Sequence, residues 1–138
     1  MTDMTDDALD RLFTLVDDLD ADVDATIDLA DEIAASGDTA LLPRLEARLD
    51  RCVGERNSYA RELLGGVIAA IGGVASLPVL LRASAVDLGD DQDGLAAEIV
   101  DLVHADPAAA RALLGPLAKG GDPAVRDRAE WALRFVPS

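Results

Sequence analysis

The feature that most restricts this chain is the spacing of its apolar residues. From one end to the other they recur at intervals of three and four, and no stretch shows the strict alternation of a half-buried strand. Aromatics make up only 3% of the residues, so the core must pack from Ala, Val, Leu and Ile, of which Ala and Leu strongly favour helix. At 138 residues there is chain enough for one domain. The expectation is an all-α fold of eight short helices.

Stop and start signals divide the chain. A first helix is expected from about Thr5 to Val16, with Leu9, Leu12, Phe13 and Val16 on one face and Asp6 and Asp7 in its first turn. A second runs from about Asp22 to Ala35 and is stopped by Gly37. Asp38 caps a third, to about Val53, carrying Leu41, Leu42, Leu45 and Leu49. Ser58 is the expected cap of a fourth, Tyr59 to Ile71, closed by Gly72 and Gly73. A fifth spans about Ala75 to Ala85, the loop VDLGDDQDG follows, and a sixth spans about Leu95 to His104. Asp106–Pro107 and Asp122–Pro123 open the seventh and eighth, each Asp as N-cap and each Pro at the first helical position.

Leu63 to Leu81 is a nineteen-residue run without a charge, about the length of a membrane span. It also holds four glycines, a serine and a proline, and its central GGVAS has the composition of a turn. Two buried half-helices with a tight connection account for it better than a single span. The N-terminus MTDMTDDALD has neither a basic nor an apolar leader region, so a cytoplasmic protein is expected. Cys52 stands alone, which excludes an internal disulfide or a cysteine-based metal cluster.

The net charge of −15 is unevenly distributed. Residues 1–38 hold thirteen acids and one base, a net of −12, while residues 39–138 hold fourteen acids and eleven bases. Such a segment repels phosphate backbones and argues against nucleic acid as a partner. Two readings of the acidity stand: attraction of a basic partner, or a solvated acidic surface of the kind found in salt-loving organisms. Asp18, Asp20 and Asp22 have the spacing of the first ligands of a calcium loop, but the sixth position is Val23 and the twelfth Leu29. A loop begun at Asp20 fails likewise at Ala25. Asp24, Asp28 and Asp31 instead form a negative stripe on one helical face.

The helices also pair into a repeat. ALLPRLEARL, SLPVLLRAS and LLGPLAKGG each set a proline beside leucines, at Pro43, Pro78 and Pro116. In the second helices Ala60, Leu95 and Val125 correspond, as do Leu64, Ile99 and Ala129, and Ile68, Val103 and Leu133. LLGPLAKGGDPAVRDRAEWAL resembles a HEAT repeat, through its leucine–proline first helix, Asp122–Pro123, Val125–Arg126, Ala129 and Ala132–Leu133. The resemblance covers residues 38–136. It implies one α-solenoid domain over 1–138, with repeat pairs 38–73, 74–105 and 106–138 and an atypical acidic cap at 1–37. It further implies that Arg126, and Arg61 at the equivalent position, brace a neighbouring turn, often through the turn's acid. The third pair has Ala96 there and a longer loop at residues 87–94.

Second helices of HEAT-like pairs line a concave surface. In the shared register that surface collects Glu62, Gly66 and Ala69, then Ala97, Asp101 and His104, and finally Asp127, Glu130, Trp131 and Arg134, and the stripe Asp24, Asp28 and Asp31 is expected to make it acidic towards the N-terminus. Gly65 and Gly66 with Ala69 and Ala70 read either as close packing within the fold or as a flat floor for a partner. Trp131 reads either as an interface anchor beside Arg134 or as a cap folded over the last open core. His104, the sole histidine, lacks a Cys, Ser or second His at a spacing suited to catalysis or metal binding, and its place at a helix end suits the helix dipole. No catalytic residue, metal or cofactor is expected. The expected function is a non-enzymatic interaction module for a basic or mixed-charge protein, acting as a scaffold or as an immunity protein or inhibitor. The alternatives are a self-associating structural solenoid, with homo-oligomer contacts, and an accessory factor of the kind found among HEAT proteins related to phycobilin lyases.

Overall fold

The computed structural model describes residues 2–18, 20, 22–86 and 95–137, with the side chains of residues 2–6 left aside. The expected loop at 87–94 therefore lies outside the described residues. Among the described residues eight α-helices follow one another: α1 (Thr2–Asp17), α2 (Val23–Ser36), α3 (Leu42–Gly54), α4 (Ser58–Gly72), α5 (Leu77–Ser84), α6 (Ala96–Ala105), α7 (Pro107–Ala118) and α8 (Pro123–Leu133). No strand occurs among the described residues. The protein is all-α.

Local chemistry sets most helix ends. Asp122 accepts from the Ala124 and Val125 N–H groups, and Asp106 from Ala109 N–H, each ahead of a first-turn proline. Gly37 ends α2 at φ 62°. The cap of α4 is Asn57 and not Ser58. Arg56 turns the chain at φ 61°, which leaves Asn57 extended with its side chain accepting from Ala60 N–H at 3.0 Å. Ser58 thereby becomes the first residue inside the helix.

Two first helices begin more tightly than expected. Thr39–Leu41 and Gly73–Ser76 are 3-10 turns that lead into α3 and α5, where Pro43 and Pro78 are each the second residue. Asp38 caps the first of these turns. Pro116 is not their counterpart, because it stands inside α7 near its C-terminal end. The proline alignment of the three first helices therefore fails at its third member. The register of the second helices is matched by burial: Ala60, Leu64 and Ile68, then Leu95, Ile99 and Val103, then Ala129 are fully buried, with Val125 and Leu133 half-buried.

The run Ser58–Ser84 has the length and apolar composition of a membrane span. The 3-10 turn divides it, and Gly73 at φ 62° and ψ −150° takes it out of helical conformation. Each helix packs on its sequence neighbour within a pair, α1 on α2, α3 on α4, α5 on α6 and α7 on α8. Between pairs, α2 packs on α4, α4 on α6 and α6 on α8, while α3 packs on α5 and α5 on α7. One continuous apolar core results, running from Leu9 to Ala132. Each leucine fully buried in it contributes about 1.5–3 kcal/mol.

The acidic α1 is fastened to α3 through charge. Asp10 pairs with Arg44 and Asp17 with Arg48, and Phe13 lies under both guanidiniums, at 5.8 and 5.1 Å. Beneath them Cys52 is fully buried, and that desolvation pushes its thiol pKa up, against the opposing pull of Arg48.

Candidate functional site

Residues of the expected interaction face sit on α2, α4, α6 and α8, four helices in serial contact. On α2, Asp24, Asp28 and Asp31 are exposed. On α6, Asp101 and His104 are exposed, His104 in the last turn. On α8, Asp127, Glu130 and Arg134 are exposed.

Trp131, on the same helix, is less exposed than these. Its ring is half-buried and packs against the core. The Arg128 guanidinium lies 4.0 Å from the ring centroid, and Phe135 meets it edge-on at 5.1 Å and 67°. Arg128 Nε also donates to Ser84 Oγ at 3.0 Å, tying α8 to α5. Neighbours three residues before and four after thus hold the ring on the surface of α8. This arrangement favours the cap over the free anchor.

The centre of the face serves the fold in part. Glu62 carboxylate oxygens accept from Leu95 N–H at 3.2 and 3.3 Å, at the start of α6. A Cβ on Gly65 would stand 2.4 Å from Leu95 Cδ2, so this glycine is the seat of a buried leucine. Gly66 and Ala69 are half-buried beside it. Next to Glu62, Arg61 is 2% exposed and its Nη1 donates to Val86 O at 2.8 Å. Arg126 Nη1 reaches Gly120 O at 3.4 Å, in its own preceding turn. Each arginine thus reaches a turn carbonyl, and Arg61 Nη2 also lies 3.7 Å from Glu62 Oε1.

One surface escaped sequence reasoning. Val23 is 53% exposed, Ile27 40% and Tyr59 43%. Beside them lies a hollow of about 210 Å³ lined by Leu15, Val16, Val23, Thr26, Asn57 and Tyr59, together with the exposed Asp18. A signal existed. The core face of α2 is Thr26, Leu29, Ala30 and Ile33, and Val23 and Ile27, one turn apart, fall outside it among aspartates. A second hollow of about 300 Å³ lies along α3 between Phe13, Arg44, Ala47, Arg48 and Arg51. Its arginines face Asp10, Asp17 and Glu55, so its charge is already matched.

The aspartates spaced like calcium ligands do local work. Asp18 accepts from Asp20 N–H at 2.9 Å, and Asp22 from Asp24 N–H at 3.0 Å as the cap of α2. Among the described residues no group of His, Cys, Asp and Glu is arranged to hold a metal ion. No protein-family model, no curated protein and no solved structure matches the chain.

Proposed function

We propose that this chain is a non-enzymatic protein-interaction module, built as a short HEAT-like solenoid, that binds a basic or mixed-charge protein in the cytoplasm. The architecture is supported by the helical hairpins, by the serial contact of α2, α4, α6 and α8, and by the matching burial of their equivalent residues. The observation that carries the function is the outer face of α2. There Asp24, Asp28 and Asp31 are exposed together with Val23 and Ile27. Contiguous exposed apolar side chains ringed by one sign of charge mark a protein contact more than a solvated face. An immunity protein or inhibitor that masks a basic enzyme surface is the form of this function that the charge suits best.

Capture of partners on the immobilised chain across a salt series tests the reading. Basic proteins are expected, released as salt rises. Capture of acidic proteins, or capture indifferent to salt, refutes it. The mass of the chain in solution, alone and as Trp131→Ala, separates it from self-association: a tryptophan-dependent oligomer would support the structural alternative.

A further inference from the structure

The hollow between α1, α2 and α4 has no role in the fold just described. We infer that it is the docking point of the module, and that its occupant is a lysine- or arginine-rich amphipathic helix of a protein partner, seating an apolar side chain there. The inference rests on the interaction reading above and gives it a place and a ligand chemistry.

Three observations converge on that occupant. First, Val23, Ile27 and Tyr59 are three of the five large apolar side chains exposed among the described residues, and the other two, Val86 and Phe135, lie just beyond the ends of α5 and α8. Val23 and Tyr59 line the hollow, and Ile27 continues the row one turn along α2. An i, i+4 ridge of this kind suits the ridge of a second helix. Second, the volume fits. A cavity of roughly 150 Å³ takes one benzene, so about 210 Å³ takes one large side chain with room to settle. The hydroxyl of Thr26 is occupied, donating to Asp22 O at 2.9 Å, and adds no unmet polar demand to the wall.

Third, the surrounding charge is predominantly negative. Asp18, Asp20, Asp22, Asp24 and Asp28 are all exposed around the hollow and along α2. Among the described residues none of them is joined to an arginine, whereas Asp10 and Asp17 on α1 are. Five exposed carboxylates against the one neighbouring cation among the described residues, Arg56 beside Asn57, leave the field negative where the apolar ridge is exposed. That field repels a second copy of this chain and an anionic membrane surface, and it attracts a cationic helix.

The test uses the full chain and three labelled helix-forming peptides of about fourteen residues: lysine–leucine, lysine–serine and glutamate–leucine. Anisotropy titration is expected to show lysine–leucine binding about tenfold tighter than lysine–serine, and no binding of glutamate–leucine. The double variant V23S/I27S changes only exposed positions. With its helical circular dichroism retained, it should weaken lysine–leucine binding about tenfold, while Phe135→Ser at the far end should leave it unchanged. Amide shift changes should fall on residues 15–27 and 59–62. Binding unaffected by V23S/I27S, or shifts centred on α8, overturns this docking point and leaves the interaction reading standing. So does failure of every peptide while the chain still captures basic proteins. A dimer in solution that V23S/I27S dissociates replaces the stated occupant with a second copy and equally overturns the proposal. Loss of both peptide binding and basic-protein capture sinks the interaction reading as well.

Discussion

Gly65 and Gly66 are adjacent letters with opposite jobs. A methyl group on Gly65 would meet Leu95 Cδ2 at 2.4 Å and Cγ at 3.2 Å, and Leu95 is buried and held at φ 61°. A methyl on Gly66 would find only Glu98 Oε1, at 3.9 Å. Gly65→Ala should therefore lower stability by about 1–2 kcal/mol through overpacking, despite the gain in helix propensity. Gly66→Ala should raise it by about 0.5–1 kcal/mol, since only the propensity changes. Urea midpoints of the two variants check this, and equal shifts of the same sign would contradict it. In the sequence the two glycines are indistinguishable, because the difference lies in a leucine thirty positions away. Trp131 illustrates the same limit. Helical spacing placed it with the exposed Asp127, Glu130 and Arg134, whereas its ring is half-buried between the core, Arg128 and Phe135.

At the scale of elements, capping was legible and register only partly so. Asp106–Pro107 and Asp122–Pro123 begin α7 and α8 as expected, since an N-cap is a contact within a few residues. Pro43, Pro78 and Pro116 looked alike in composition, yet the first two enter a helix and the third sits near the end of one. The Arg61 and Arg126 correspondence is the more informative alignment, each four residues beyond an Asn or Asp cap. Their surroundings differ sharply. Arg61 is 2% exposed with a 2.8 Å bond to Val86 O, while Arg126 is half-buried with a 3.4 Å bond to Gly120 O. Arg61→Ala should cost about 3 kcal/mol, because it empties a packed site and removes the bond that ties Val86 O to α4. Arg126→Ala should cost about 1 kcal/mol or less. Comparable losses in thermal or chemical denaturation would show that burial is not what separates them.

The molecule as a whole carries its negative charge on one end, and the arginines of α3 neutralise only part of it. Self-repulsion among the remaining carboxylates opposes folding and is screened by salt, more so than the two pairs that hold α1 are weakened. The melting temperature should therefore rise by roughly 5 °C between about 10 mM and about 0.5 M sodium chloride. A fall would mean that the Asp10–Arg44 and Asp17–Arg48 pairs outweigh the repulsion. Helical class, helix number and most caps were present in the order of residues, because periodicity and capping act over one or two turns. The hollow beside Val23 and Tyr59 was not, nor were the half-burial of Trp131 and the bond from Glu62 to Leu95 N–H. Each depends on which helices become neighbours, and that is settled by packing between residues far apart in the chain.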